Sequence, residues 1–375
     1  MTNSNVSLDD KYSIESGRIF VTGVQALARI PMVQRQRDVL EGLNTAGFIS
    51  GYRGSPVGGF DQQLWRAKKF LEQNHIRFQP GLNEDLAASA IWGSQQTNLH
   101  EGGKYDGVFA IWYGKGPGVD RCGDVFKHGN MSGPAKHGGV LLIAGDDHAA
   151  KSSTVPHQSE YAFMDASIPV LNPAGLQDIV DYGILGFAMS RFSGCWVAFK
   201  TTAENMDSSA SIDVSPDRVK ISLPKFDMPE GGLSIRWPDD WIEQEHRLHQ
   251  YKLNAVRAFA RQNKIDKTII NSQNPKLGVV TTGKSYLDVR QALEDLGINE
   301  AKADKIGLRL YKVGMPWPLE PQGIDEFSQG LKEILVIEEK RPIIESQLKE
   351  HLYNHAPKNR PNVVGKYDDK GQFLQ

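Results

Sequence analysis

The residues best suited to chemistry are one acid and three glycine-rich segments. Glu84 stands in Pro80-Gly-Leu-Asn-Glu-Asp-Leu-Ala-Ala-Ser-Ala90, where a polar turn gives way to small helix-forming residues. Upstream lies Gly51-Tyr-Arg-Gly-Ser-Pro-Val-Gly-Gly59. Downstream lie Gly114-Lys-Gly-Pro-Gly-Val-Asp-Arg-Cys-Gly-Asp124 and Ala144-Gly-Asp-Asp-His-Ala-Ala-Lys-Ser-Ser153, each after an apolar run. On helix pattern alone, Glu84 is an acid in a first turn behind an Asn83 cap, worth about 0.3–1 kcal/mol against the helix dipole. Its other reading is a carboxylate sharing one crevice with loops that suit phosphate or carboxylate groups, where it would hold or move a proton.

The neighbours of Glu84 also divide between two readings. Ser55-Pro56 after Gly54 has the chemistry of a helix start, serine as cap and proline in the first turn, and so of an anion site. Arg53 either grips a carboxylate through two parallel hydrogen bonds or is a solvated loop charge. Lys115, Asp120, Arg121 and Asp124 crowd one loop, either to hold substrate or as an internal ion-pair network. Cys122 beside Arg121 is a neutral loop cysteine unless that arginine tunes it. His128 and His137 lack metal-ligand spacing and read as loop histidines.

These segments need a frame to bring them together. Apolar runs at 47–50, 108–113, 140–144 and 195–200 are strand-length and glycine-bounded. Helical patterns at 61–74, 83–96 and 176–190 lie between them. Strand, polar loop and helix in repetition predict a parallel α/β sheet, whose loops gather at the carboxyl ends of the strands. Residues 203–240 lose periodicity, and 241–264 predict a long amphipathic helix. A second α/β unit begins at Leu277, with a strand and turn over 277–286 leading to a helix at 287–296, further strands at 308–313 and 333–338, and a proline-stiffened loop at 314–321. After about Ala356 the chain is polar and predicts a tail that closes no domain.

Composition narrows the function. At 375 residues the chain exceeds one typical domain. A formal net charge of −2 without a long basic run argues against nucleic acid. Met1 to Asp10 is polar and acidic, unlike a signal peptide, and no apolar run suffices to span a membrane. A soluble, cytoplasmic protein is expected. Only two cysteines are present, Cys122 and Cys195, against about four thiolates per iron–sulfur cluster. No Walker motif is found, since Thr282-Gly-Lys-Ser285 lacks the earlier glycine.

The segment from Ile49 to Glu160 closely resembles the fused-type indolepyruvate ferredoxin oxidoreductases, thiamine-diphosphate 2-oxoacid:ferredoxin oxidoreductases. Gly51-Tyr-Arg-Gly-Ser-Pro56 is similar to the family's Tyr-Pro-Gly-Thr-Pro turn, with Arg53 in place of a proline and Ser55 in place of threonine. Asn83-Glu84 with its small residues resembles the aminopyrimidine-binding segment. Asp146-Asp147, Ser152-Ser153 and His157-Gln-Ser-Glu160 match a third block in order and spacing. The pieces Thr282-Gly-Lys-Ser-Tyr286, Val313-Gly-Met-Pro-Trp-Pro-Leu319 and Val336-Ile-Glu-Glu-Lys-Arg-Pro342 resemble the family's transketolase C-terminal-like domain.

The resemblance implies an α/β protein. A parallel-sheet thiamine-diphosphate pyrimidine-binding-like domain at 16–202 is followed by a linker and long helix at 203–276. A transketolase C-terminal-like domain at 277–356 and a tail at 357–375 complete it, the tail being the expected truncation point. It implies Glu84 as the catalytic partner of the aminopyrimidine, with Gly54, Asp124 and Asp147 on the cofactor and Arg53, Ser55, Lys115 and Arg121 on the anionic substrate. Asp146, Asp147 and Ser152 shape the loop. Gly145-Asp146-Asp147 with Asn172 only mimics the family's diphosphate and magnesium motif: a glycine is missing and Asn172 leads into Pro173. The implied reaction converts an aryl 2-oxoacid, coenzyme A and oxidised ferredoxin to acyl-CoA, carbon dioxide and reduced ferredoxin. Mg and the 4Fe-4S clusters are expected on a separate diphosphate-binding domain or chain, so that this chain alone is inactive, and the assembly is expected to be a dimer. The alternatives are another 2-oxoacid specificity and a non-catalytic scaffold half.

Overall fold

The computed structural model describes residues 7–149 and 155–374. A short helix, Asp10–Ser13, precedes strand β1 (Arg18–Thr22), which is followed by the helix Gly23–Leu40. Strands β2 (Ala46–Gly51), β3 (Ile76–Phe78), β4 (Val108–Lys115), β5 (Val140–Asp146), β6 (Val170–Leu171) and β7 (Val197–Thr202) then alternate with helices. They form one sheet in the order β3-β2-β4-β5-β7-β6, parallel throughout. Residues of β5 and β7 are buried along their whole length, as expected of a parallel sheet covered on both faces. β8 (Ser209–Asp213) returns antiparallel to β1, so part of the expected linker is ordered against the first domain.

The order of this sheet fixes where a ligand can sit. From β2 the chain crosses outward to β3, then back past β2 to β4. The crossovers therefore diverge between β2 and β4, and a crevice opens beyond their carboxyl ends. Gly51 and Tyr113 are register partners at that point.

The second sheet runs β13 (Asn362–Val364), β12 (Glu333–Ile337), β10 (Leu277–Thr282), β11 (Leu308–Val313), β9 (Lys267–Ile270), with only β9 antiparallel. It therefore starts before Leu277. The expected polar tail supplies β13, an edge strand whose Val363 packs into the core beside β12. Three residues with one inward side chain leave too faint a pattern to read. The long helix expected at 241–264 is split: a π turn at Leu248–Lys252 separates Trp241–Arg247 from Leu253–Gln262. There the buried Lys252 ammonium donates to the carbonyls of Asn130 and Met131 at the end of the helix Gly123–Ser132.

The edge strand β6 of the first sheet is joined to the second domain through the proline loop that follows β11. Val170 N–H donates to the Trp317 carbonyl at 2.7 Å and Asn172 N–H to that of Gly314 at 2.9 Å. The Asn172 amide also reaches Thr282 Oγ1 at 3.2 Å. The next residue, Gly283, has φ +52°, and a Cβ there would lie 2.5 Å from the Asn172 side chain. Glycine is needed on both counts.

Candidate active site at the sheet crevice

Glu84 begins the helix Glu84–Gln95. Asn83 is extended and accepts the Leu86 N–H at 2.8 Å, so it caps the helix as expected. The Glu84 side chain is buried, at 8% exposure, which a surface helix-dipole acid would not be. Its carbonyl accepts the indole N–H of Trp112, a buried residue of β4, at 3.0 Å. That bond ties the helix start to the central strand.

The glycine-rich segments converge on this acid. Gly118 lies against it so closely that a Cβ would stand 2.5 Å from Glu84 Cγ and 2.9 Å from Oε1. Gly54 meets Lys115, whose Cδ would be 2.6 Å from a Cβ on the glycine. Gly145 stands equally close to Pro56, at 2.8 Å from its Cδ. Gly81 N–H donates to the Gly51 carbonyl at 2.9 Å, and Tyr52 N–H to that of Tyr113 at 3.0 Å. The ends of β2, β4 and β5 and the start of the Glu84 helix therefore meet at one place.

Several local expectations need correction. Ser55 does not start a helix: the Ser55–Pro56 peptide is cis, and Pro56 precedes only a short 3-10 turn, Val57–Gly59. The segment 114–124 is mostly helical. Lys115 ends β4, Pro117 sits in the first turn of the helix Gly116–Arg121, and Asp124 opens the next helix. Asp124 is 91% exposed and faces His128, 3.7 Å away along its own helix. As a cofactor contact it finds no support in this geometry.

The charged cluster is not an internal network. Asp120 faces His157 at 3.6 Å and Asp124 faces His128, while Lys115 and Arg121 make no ion pair among the described residues. Arg53 and Arg121 are exposed and Ser55 is half-buried. Arg53 lies near Asp61, whose carboxyl burial raises and Arg53 helps to pull back. Cys122 is fully buried, and burial, reinforced by Asp85 and Glu84, pushes its thiol far up despite Arg121. It is not a reactive thiolate.

Asp147 is buried, and its carbonyl accepts the His157 N–H at 3.5 Å. Ser152 and Ser153 lie outside the described residues. Asp146 accepts the Ser159 N–H at 2.9 Å and the Ser159 hydroxyl at 2.5 Å, with Lys200 at 3.7 Å. Its carboxylate is engaged within the loop and with β7.

Two groups carry no role in the sequence alone. His157 packs its ring on Gly116, at the edge of the crevice. Lys200, buried in β7, donates to Glu160 Oε1 at 2.5 Å. Burial alone would lower Lys200, but Glu160 and Asp146 outweigh it and hold the ammonium above its ordinary range. A lysine in an otherwise apolar strand signals such a partner, and its identity comes only from the fold. Lys200 and Glu160 also line a cavity of about 110 Å³ between the two sheets, with His148, Thr282, Lys284 and Glu338.

Comparisons with known proteins agree with this architecture. Residues 266–374 match the indolepyruvate ferredoxin oxidoreductase middle domain. The chain is 26% identical over 346 residues to the indolepyruvate oxidoreductase subunit IorA of Pyrococcus abyssi, covering 88% of this chain and 47% of that protein. The IorA of Methanothermobacter thermautotrophicus is 25% identical, over 89% of this chain and 48% of its own. The chain thus spans about half the length of the curated relatives it matches. Among solved structures, a 2-oxoglutarate:ferredoxin oxidoreductase from Magnetococcus marinus, with 2-oxoglutarate, coenzyme A and succinyl-CoA bound, superposes with a TM-score of 0.64. It is 14% identical, over 93% of this chain and 62% of that one. A split-gene transketolase, an inactive β4 tetramer, gives 0.52 at 12% identity over 92% and 90%.

The fold is therefore that of a thiamine-diphosphate pyrimidine-binding-like domain followed by a transketolase C-terminal-like α/β domain. Within that class, the resemblance to the indolepyruvate ferredoxin oxidoreductases is shown, and it is to the IorA type of subunit. Among the described residues, no helix is long and apolar enough to cross a membrane.

Proposed function

We propose that this chain is the aminopyrimidine-side part of a cytoplasmic thiamine-diphosphate enzyme that oxidatively decarboxylates an aryl 2-oxoacid such as (indol-3-yl)pyruvate. Coenzyme A takes the acyl group and ferredoxin the electrons. The observation that carries the proposal is Glu84: a buried carboxylate at a helix start, beside the switch-point crevice, with no Cβ opposite it on Gly118. That arrangement fits the aminopyrimidine half of the cofactor. The diphosphate and magnesium half finds no match among the described residues, since Asp146 is committed to Ser159 and Lys200, and Asn172 bonds Thr282. The partner domain or chain supplies that half and the 4Fe-4S clusters, in a dimeric assembly.

Bound thiamine diphosphate supplies the nucleophilic carbon and the electron sink for decarboxylation. On this chain, Glu84 would hold the aminopyrimidine through a hydrogen bond from its carboxyl group, and its burial would keep water from competing for that contact. Gly54 and Gly118 keep side chains out of the space, and Asp147 holds the third loop through His157. Lys115, Arg53, Ser55 and Arg121 bind the substrate carboxylate as it enters.

The test is reconstitution. The chain, mixed with its diphosphate-binding and cluster-bearing counterpart, is expected to support viologen reduction dependent on indolepyruvate and coenzyme A, and to be silent alone. Preference for 2-oxoglutarate would overturn the substrate class. Failure of the mixture to retain thiamine diphosphate would favour a scaffold role.

A further inference from the structure

The second domain carries a cluster of side chains that the active site does not use. Asp325 lies on the helix Pro321–Ser328, and His351 in the last turn of the helix Ile344–Leu352, with His355 just beyond it. His351 Nε2 is 2.7 Å from Asp325 Oδ1, and His355 Nε2 is 3.5 Å from the same oxygen. The two imidazole rings stand 5.4 Å apart, inclined at 67°. One ligand atom from each of the three residues falls within 4.8 Å of the others, the only such group among the described residues.

We propose that Asp325, His351 and His355 bind a divalent first-row metal ion of zinc's class, which staples these two helices together. Two imidazoles and one carboxylate are the donor set that zinc favours, while magnesium and calcium favour oxygen alone. Bonds of about 2.0–2.1 Å to a tetrahedral ion put neighbouring ligand atoms roughly 3.3 Å apart. The observed 2.7 and 3.5 Å bracket that spacing. All three side chains are half-buried, so an ion can reach them from solvent.

The ligands are also held in advance. Glu338 accepts N–H bonds from Ile343, Ile344 and Glu345 at 2.9–3.0 Å, fixing the start of the helix that carries His351. Glu320 does the same for the Asp325 helix, through Gln322 and Gly323. Two helices anchored at their first turns thus present Asp325 and His351 with little entropy left to lose, and His355 follows just beyond the second. The segment Glu338–Pro342 also bonds the first domain: Arg341 N–H donates to Gln158 at 3.1 Å, and the Tyr161 hydroxyl to the Pro342 carbonyl at 3.0 Å. A metal at the far end of the same helix therefore stiffens the unit that meets the active-site loops.

Untagged 375-residue chain, freed of metal by chelation, is titrated with Co(II). Uptake of one ion per chain is expected, with visible d–d bands and no thiolate band, because both cysteines are buried. Zinc should displace the cobalt and raise the melting temperature. His351→Gln and His355→Gln, singly and together, should keep native circular dichroism. Each should weaken cobalt binding at least tenfold, the lower end of what even an outer-shell change costs. No cobalt uptake by the wild type, or uptake undiminished in the double variant, would overturn the proposal and leave a hydrogen-bonded His–Asp–His cluster.

Discussion

Gly118 faces the side chain of Glu84 so closely that a methyl group on it would stand 2.5 Å from Glu84 Cγ. The first turn of the helix after β4 thus fixes where the carboxylate stands. Gly118→Ala should leave the fold intact, since alanine suits a helix. Its methyl group must push the carboxylate aside. A displacement of about 1 Å costs on the order of 10²-fold in rate. Turnover of the reconstituted enzyme should fall by that much while thiamine diphosphate remains bound. Unchanged turnover would mean that the position of Glu84 is unimportant.

The Lys200 ammonium lies between Glu160 and Asp146, all three buried. Removing it strands two carboxylates. Lys200→Met should therefore destabilise the first domain by about 3–5 kcal/mol, and adding Glu160→Gln should recover part of that loss. Urea midpoints of the wild type and both variants give the comparison. A Lys200→Met midpoint equal to wild type would show the network to be unimportant for stability.

Asp266 makes the pH behaviour predictable. Burial raises its carboxyl from 3.8 to about 7, although Met315 and Gly314 N–H groups pull the other way, and Oδ2 has no hydrogen-bond partner among the described residues. A carboxyl raised on folding contributes stability that is present below pH 3.8 and lost as pH rises through 7. The shift corresponds to about 4 kcal/mol at 1.36 per unit. Asparagine removes the charge but leaves an amide N–H without a partner, at about 1–3 kcal/mol. Asp266→Asn should therefore stabilise the chain at pH 8 by about 1–3 kcal/mol. That gain should vanish below pH 4. Denaturant midpoints across this range check it, and a gain that did not depend on pH would refute the buried charge.

Much of this arrangement was legible in the sequence because its carriers are local. Glycine-bounded apolar runs such as Val140–Ala144 became parallel strands, and Asn83 became the cap. What stayed hidden depends on tertiary packing. The helix Gly23–Leu40 is buried on most of its surface, includes Pro31 and a fully buried Arg29, and so shows no amphipathic stripe. Arg29 donates to the carbonyls of Tyr12 and Ile14, partners that no spacing rule connects. At Ser55-Pro56, serine before proline predicts a helix start, but residue type does not reveal a cis peptide. The partners of Lys200 come from β5 and from the helix Glu160–Asp165, which only the sheet order brings together.

A conservative change at Glu84 separates cofactor activation from a helix-dipole role. In the reconstituted enzyme, Glu84→Gln preserves side-chain volume and suits a helix start, so cofactor binding and fold should persist. The measurement is deuterium exchange at the thiazolium carbon of bound thiamine diphosphate before substrate is added. Exchange should slow by roughly 10²–10⁴-fold, the loss expected for a positioned acid–base group. Exchange at the wild-type rate, with the cofactor still bound, would contradict the assignment.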